Sequence, residues 1–495
     1  MPEPDSANPD PAKPRPAGVA PGAGGFDRTP LTALERCLRA FTDVRPGEGR
    51  TAALMFANVL LILCAYYLLK PLREGWLAIS DVQGLSKLEI KAYTSFAQSL
   101  LLALAVTGYG RWVGRWPRGV LITRTTLFCM AVIGMFWLLQ PDFLVRSLPG
   151  VGIAFYLWVG MFGVFVVAQF WAFAADLYSQ ERGNRLLPMI AVGATSGAML
   201  GSGLESQLVA RHWLDANYLL LGALPLLTAS IWLTRVVDRA EGGVGKAERR
   251  GFDSPLRDGR GSLALVFGSR FLLAVAAITL LFNWVKTNGD NQLFAVVQEV
   301  LGGQVAALGI AGSDTARTFV HDGTTSFFGN FFFWQNAVAL LLQSFVASRL
   351  LKHGGFGAIF LLLPTIAMVS SAAMAFLPIL WVIKSMKVAE NATDYSINNT
   401  ARHVLWLPMS EEVTFKAKPT IDSIFFRAGD GFAALTAMIG VQVFSFPVRS
   451  YFLLNVALAA VWLGVGLWVV REHARLADDT MAADVGARVL GSEAG

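Results

Sequence analysis

A regularly spaced set of charged and polar residues lies in the apolar second half of the chain, within residues 381–404. Its members recur every three or four positions, which places them on one face of an α-helix. They are Lys384, Lys387, Asn391, Asp394, Asn398 and Arg402. Ammonium and amide groups on one face can hold an anion, whereas Glu390 and Asp394 lie one turn from bases. We predict that the two acids pair with lysines in the empty site, and that the lysines and asparagines bind an anionic ligand.

Five more charged residues interrupt apolar segments elsewhere: Lys70, Arg73, Lys286, Arg427 and Asp430. An ionised side chain at the centre of a membrane helix costs roughly 2.5–3.5 kcal/mol, so such residues face a cavity or a partner. We predict that the first three bind the same anion, the arginine through a bidentate fork and the lysines as point charges. The alternative is that Lys70 and Lys384 extend to the membrane interface and that Arg73 and Glu74 form a local pair. For Arg427 and Asp430 we favour an internal pair over a second part of the site.

The composition indicates that these residues belong to an integral membrane protein. Of 495 residues 54% are hydrophobic and 15% charged, and the mean hydropathy is +0.50, a balance typical of a chain in lipid. The three cysteines have no paired spacing, which argues against a disulfide framework. The net charge of +6 is spread over short loops rather than gathered in one patch, so no nucleic-acid partner is expected.

Apolar runs of about 20 residues, the length that crosses a bilayer core of roughly 30 Å, occur twelve times. The predicted spans are 52–74, 90–110, 119–139, 151–177, 186–209, 216–236, 265–288, 331–350, 356–378, 379–405, 420–446 and 450–471. Lys and Arg concentrate in the loops after every second span, and cytoplasmic loops retain such residues. This distribution predicts that both termini are cytoplasmic, and residues 289–330 are predicted to contain a long outer loop.

The twelve spans divide into two similar halves. Lys70 and Lys286 occupy equivalent places in the first span of each half, and "SQERGNR" (179–185) and "SEEVTFK" (410–416) follow the fourth. Duplicated halves are typical of secondary transporters, whose substrate site lies between the repeats. The predicted organisation is an N-terminal segment with a short amphipathic helix (1–50), a six-helix half (51–236), a basic linker (237–264), a second six-helix half (265–472) and a tail (473–495).

Four further stretches resemble a known family: "RPGEGR" (45–50), "YYLLKPLREG" (66–75), "ERGNRLLPMIAVGATSGAMLG" (181–201) and "KAKPTIDSIFFRAGDGFAAL" (416–435). With the twelve spans and the central basic linker, they are similar to the major facilitator superfamily, and within it to the bacterial and plastid ATP/ADP translocase family. The resemblance runs from residue 45 to about 470. It implies a nucleotide exchanger, and we expect the protein in the bacterial inner membrane.

The sequence therefore predicts an all-α, twelve-span, major facilitator-like secondary transporter for an anionic, phosphate-bearing small molecule. No catalytic residues, metal site or cofactor are expected, because the five histidines lack metal-ligand spacing and no nucleophile–base set can be placed in one site. We expect a monomer in the bilayer. Two alternatives stay open: a proton-coupled transporter of another solute, in which Asp394 or Glu390 titrates, and a membrane sensor that does not transport.

Overall fold

The described part of the chain is built from helices. The computed structural model describes residues 32–39, 42–113, 118–140, 143, 150–241 and 262–493, and no strand occurs among them. The predicted all-α class is confirmed, while most of the predicted N-terminal segment and basic linker lies outside the described residues. The helices are α1 (Ala33–Leu38), α2 (Gly49–Ala78), α3 (Lys87–Val113), α4 (Arg118–Leu138), α5 (Val151–Leu177), α6 (Gln180–Ala210), α7 (Leu219–Glu241), α8 (Ser262–Gly268), α9 (Arg270–Ala307), α10 (Asp314–Leu341), α11 (Ser348–Phe376), α12 (Leu380–Thr393), α13 (Asn399–Leu405), α14 (Glu411–Thr420), α15 (Phe426–Gln442) and α16 (Val448–Glu493).

Nine helical stretches of the described residues are long and apolar enough to cross a membrane. One of them, Asp314–Phe376, is 63 residues long and contains both α10 and α11. It is broken at Gly355, whose φ of 67° is a left-handed conformation that glycine adopts without strain. The break falls between the predicted spans 331–350 and 356–378. Twelve as the number of crossings stays a prediction.

The predicted outer loop within residues 289–330 is wrong. Helix α9 continues to Ala307 and α10 begins at Asp314, so a six-residue turn replaces most of the loop. The segment is too polar to resemble a span, yet several of its polar side chains, including Asn291, Gln292 and Thr324, are buried. Ser313 then caps α10 by accepting a hydrogen bond from the Ala316 amide at 3.1 Å. Hydropathy alone therefore underestimates the length of helices whose polar residues face the protein interior.

Glycines hold α6 against α2 at close range. Gly193, Gly197 and Gly201 recur every fourth residue and therefore lie on one face of α6. A Cβ atom on any of them would come within 3.0 Å of backbone atoms of α2. Small residues at this spacing let two helix backbones approach, which is a common way to pack helices in lipid. This packing places the second half of α2, with its charged residues, in the interior of the bundle.

The repeated serine motif marks two equivalent helix starts. Ser179 accepts a hydrogen bond from the backbone amide of Arg182 at the start of α6, and Ser410 accepts one from Val413 at the start of α14. Both distances are 3.4 Å, and both serines have the extended backbone of an N-cap residue. The resemblance between the two sequences therefore reflects the same local role in each half.

The polar face predicted within 381–404 is not continuous. Residues Asp394–Asn398 form a π-helical turn between α12 and α13. A π turn holds an extra residue, so side chains beyond it are rotated relative to those before it. Lys387 and Asn391 therefore face a different direction from Asn398, which the regular spacing of three and four placed beside them.

Candidate substrate site

A polar cavity of about 210 Å³ lies between the two halves of the chain. Its lining comes from α2, α3 and α5 of the first half and from α9, α10, α12 and α15 of the second, together with Tyr395 of the π-helical turn. Five cations and three carboxylates line it, which gives a formal excess of two positive charges. The cations are Lys70, Arg73, Lys91, Lys286 and Arg427, and the carboxylates are Glu74, Asp290 and Asp430. The cavity therefore presents a positive interior.

Lys70 is a buried cation that has no anionic partner among the described residues. Its side chain is 9% exposed, and no carboxylate lies within 4.0 Å of its ammonium group in the part of the chain that the structure describes. The Nζ atom instead lies 4.1 Å from the ring centroid of Phe332 and 4.7 Å from that of Tyr67. Aromatic faces attract a cation, but they do not neutralise its charge.

Arg73 lies one turn further along α2 and keeps most of its hydrogen-bonding capacity. Its Nε atom is 3.3 Å from Glu74, and its guanidinium carbon is 4.3 Å from the ring centroid of Tyr156. No hydrogen bond from its two terminal nitrogens is recorded within the described ranges. Those nitrogens are the pair that can bind a carboxylate or phosphate in a bidentate geometry.

Glu74 also forms an ion pair with a lysine of the next helix, and this contact is shorter than the one with Arg73. Lys91 of α3 donates to Glu74 at 2.5 Å and to the Tyr156 hydroxyl at 2.9 Å. Sequence reasoning missed Lys91, because a lysine at the start of a span is also typical of the membrane interface. Its burial depends on α2 and α5, whose position the sequence of α3 does not show.

Asp430 and Arg427 are linked through a serine of the other half. Asp430 accepts hydrogen bonds from Ser99 at 2.5 Å, Asn283 at 2.7 Å and Thr287 at 2.8 Å. Arg427 donates to the same Ser99 hydroxyl at 3.1 Å, and no direct contact between Arg427 and Asp430 within 4.0 Å is found in the described structure. The internal pair predicted from the sequence is thus replaced by a bridge from α15 to α3.

Two further cations are neutralised by acids. Lys286 of α9 lies 2.5 Å from Asp394, and Lys387 of α12 lies 3.0 Å from Asp290 and 3.2 Å from Glu390. The predicted pairing of Glu390 and Asp394 with lysines is present, although the partner of Asp394 comes from another helix. Asp290 was not identified from the sequence, since it stood in the predicted loop. Lys286 and Asp290 line the cavity, whereas Lys387 does not.

Three residues predicted to bind the anion lie outside the lining of the central cavity. Lys384 donates to Asn330 at 2.5 Å, and Lys387 forms the ion pairs described above. Asn398 donates to Asp394 at 2.9 Å and lines a second, smaller cavity beside Arg402 and Asp422. The π-helical turn accounts for Asn398, and the length of α10 accounts for Lys384, whose partner Asn330 was assigned to the loop. Asn391, in contrast, does line the central cavity.

The cavity is closed at the end where α2 terminates. The hydroxyl group of Thr325 and the backbone of His321, both in α10, leave no room for a side chain at Gly75. Gln442 of α15 donates to Glu89 of α3 at 2.7 Å, and Ser206 of α6 donates to the carbonyl of Ser326 in α10 at 3.2 Å. These contacts join the two halves at one end of the cavity.

Solved structures with this arrangement of helices are transporters. A nucleoside transporter, NupG, superposes with a TM-score of 0.55 at 10% identity, over 85% of this chain and 98% of that one. A bacterial homologue of the iron transporter ferroportin superposes with a TM-score of 0.57 at 13% identity, over 85% of this chain and 98% of that one. A POT family transporter solved with 5-aminolevulinic acid superposes with a TM-score of 0.53 at 13% identity, over 86% of this chain and 96% of that one. No protein-family model and no curated protein matches the chain.

The described part of the chain therefore has the fold of these transporter structures, with two helical halves around a central cavity. At 10–13% identity the superpositions establish this architecture and leave the ligand to the residues of the cavity itself.

Proposed function

We propose that this protein is a secondary transporter that binds a phosphate-bearing anionic solute in the central cavity and moves it by alternating access. The main supporting observation is that the buried ammonium group of Lys70 lines the cavity and has no carboxylate partner among the described residues. An isolated buried charge is unfavourable unless it is paired. A substrate anion would supply the missing charge, and the terminal nitrogens of Arg73 would bind the same group.

The closed end of the cavity supports alternating access. With both termini in the cytoplasm, as the distribution of Lys and Arg predicts, the contact between Glu89 and Gln442 lies on the outer side. A second state would separate these helices and open that end. The position of the cavity between the halves agrees with the site expected for a transporter built from repeats.

The substrate class that we propose is a nucleotide, exchanged in the ATP/ADP manner across a bacterial inner membrane. The four stretches that resemble the ATP/ADP translocase family support this choice, and two of them contribute to the cavity: residues 66–75 supply Lys70 and Arg73, and residues 416–435 supply Arg427 and Asp430. A polyanionic solute also suits the positive excess of the lining.

Counterflow into reconstituted vesicles tests this function. Vesicles loaded with ADP are expected to accumulate labelled ATP from outside, and Lys70→Gln is expected to raise the half-saturating concentration by roughly tenfold or more, the loss of one charged hydrogen bond. Lys384→Gln is the matched variant: it removes a lysine outside the cavity and is expected to change that concentration less than twofold. Normal affinity in Lys70→Gln would show that the anion binds elsewhere, and failure of every phosphorylated solute to exchange would refute the function.

Glu205 supports a second candidate, a transporter coupled to protons. This side chain is fully buried where α6 packs against Gly329 of α10, and neither carboxyl oxygen has a hydrogen-bond partner among the described residues. A carboxylate in such surroundings is unfavourable, so the neutral acid fits this state and would ionise when the halves separate. Asp394 and Glu390, the acids proposed from the sequence, are already paired. Uptake driven by an imposed pH gradient into empty vesicles, abolished in Glu205→Gln, would favour this candidate over exchange.

A further inference from the structure

Three carboxamide side chains form one wall of the cavity, opposite in chemistry to the cations. They are Asn291 of α9, Gln335 of α10 and Asn391 of α12, and they are 1%, 1% and 4% exposed. One contact joins two of them, since the Nδ2 atom of Asn391 donates to Oε1 of Gln335 at 3.2 Å. The three residues, which we call the amide wall, come from three helices of the second half.

The amide wall has both donors and acceptors that lack a partner among the described residues. Asn291 has neither its Nδ2 nor its Oδ1 atom paired, Gln335 has an unpaired Nε2 atom, and Asn391 has an unpaired Oδ1 atom, counting partners among the described residues. Buried polar atoms are almost always hydrogen-bonded, and leaving one unpaired typically costs about 1–3 kcal/mol. Because the three residues line the cavity, these four atoms are available to a ligand that completes their hydrogen bonds.

A bare anion cannot complete this set. Phosphate oxygens accept hydrogen bonds, so they would satisfy the two amide nitrogens and leave the two amide oxygens unpaired or facing negative charge. A ligand that satisfies all four atoms must present N–H or O–H donors as well as acceptors. The amide wall therefore recognises a part of the ligand other than its anionic group.

The amide wall is close enough to Lys70 for one small molecule to reach both. The ring of Phe332 lies 4.1 Å from the Lys70 ammonium, and Gln335 follows one helical turn later on α10. The rings of Phe328, Phe331 and Tyr395 also line the cavity. Aromatic faces beside the amides suit a flat ring whose edge meets the amides.

We propose that the amide wall binds the edge of a purine-like heterocycle, while Lys70 and Arg73 bind the phosphates of the same molecule. Asn and Gln side chains pair with adjacent donor and acceptor atoms on the edge of adenine in a bidentate manner. This inference rests on the proposed function and adds to it the residues that would recognise the base, which inorganic phosphate and sugar phosphates lack.

Gln292 provides a matched control next to the amide wall. It is 1% exposed, it lies on α9 directly after Asn291, and both of its amide atoms are also unpaired within the described residues. It does not line the cavity. A general effect of removing a buried amide should thus be the same in Gln292→Leu and Asn291→Leu, whereas an effect on ligand choice should appear in Asn291→Leu alone.

Equilibrium binding to the purified full-length protein in detergent, with pyrophosphate, ribose 5-phosphate and ADP as probes, tests the proposal. In Asn291→Leu the dissociation constant for ADP is expected to rise about tenfold or more, while those for the other two probes change less than twofold. Gln292→Leu should leave all three constants unchanged, and Lys70→Gln should weaken all three. Asn391→Leu serves as a second variant if Asn291→Leu does not give a monodisperse protein.

The outcomes separate this inference from the proposed function. Equal weakening of all three probes in Asn291→Leu, or the same loss in Gln292→Leu, would overturn the recognition of a base and leave the anion site standing. Parallel weakening of ribose 5-phosphate and ADP would assign the amide wall to the sugar and overturn the proposal. No binding of any probe to the unaltered protein would overturn the proposed function and this inference together.

Discussion

Lys70 and Lys387 are two buried lysines in opposite halves with opposite surroundings. Lys387 is fully buried and lies 3.0 Å from Asp290 and 3.2 Å from Glu390. Lys70 is almost as deeply buried, yet its ammonium meets aromatic rings and the cavity. Burial is therefore shared by both residues, and the presence of acidic partners distinguishes them.

The difference indicates two uses of an intramembrane charge. A lysine whose charge is already balanced can hold helices together, as Lys387 joins α12 to α9 through Asp290. A lysine whose charge is unbalanced needs a ligand, because an uncompensated buried charge is strongly unfavourable. We therefore propose a structural role for Lys387 and a role in binding for Lys70, although the sequence suggested the same role for both.

Removal of each lysine should give the largest contrast. Lys387→Met leaves two acids uncompensated and is expected to lower the free energy of unfolding by about 3–5 kcal/mol, the usual effect of removing one partner of a buried ion pair. Lys70→Met removes an unpaired charge and should lower it by less than about 1 kcal/mol or raise it. Chemical unfolding in detergent measures both. Equal destabilisation by the two variants would contradict the assignment.

Conversion of a paired lysine into an unpaired one is the next test. Asp394→Asn removes the acid that lies 2.5 Å from Lys286, a lining residue of the cavity. The released ammonium should bind an anion, and we expect the affinity for pyrophosphate to rise roughly tenfold, as for one charged hydrogen bond. Glu390→Gln is the control, because its partner Lys387 does not line the cavity. Weaker binding in Asp394→Asn would show that Asp394 positions Lys286 for the ligand.

A third cluster, next to the start of α2, extends the comparison to ion pairs near water. Arg185 donates to the two Glu48 oxygens at 2.9 and 3.0 Å. Burial would raise the pKa of Glu48, but the hydrogen bonds from Arg185 and the Arg45 amide outweigh it and hold the pKa below its ordinary value of 4.5. A carboxyl group whose pKa is lower in the folded than in the unfolded protein stabilises the fold at pH values above its pKa in the unfolded protein. This contribution is lost as the pH falls through its pKa in the folded protein.

The predicted effect of this cluster is the smallest of the three. The difference in stability between the unaltered protein and Glu48→Gln should be constant at neutral pH and should shrink below pH 4.5. Thermal unfolding as a function of pH measures it. A difference that persists unchanged well below pH 4.5 would show that Glu48 acts through shape rather than charge.

Much of the fold could be predicted from the sequence because lipid imposes simple rules. Apolar length indicated most of the helices. The errors occurred where polar residues face the interior: residues 289–330 extend α9 and α10, and Lys91 is buried between helices. Hydropathy averages over all faces of a helix, so it cannot show that the polar face of a segment is covered by protein.

The chemistry of the site divides in the same way. The sequence by itself determined which helices have charges that lipid would not tolerate, because the cost of an intramembrane charge depends on residue type and span. Only the tertiary structure decided which charges are balanced, since Lys286 and Asp394 are 108 residues apart and Lys91 meets Glu74 from the next helix. Electrostatic pairing depends on distances of a few ångströms between helices, and those distances follow from packing rather than from position in the chain.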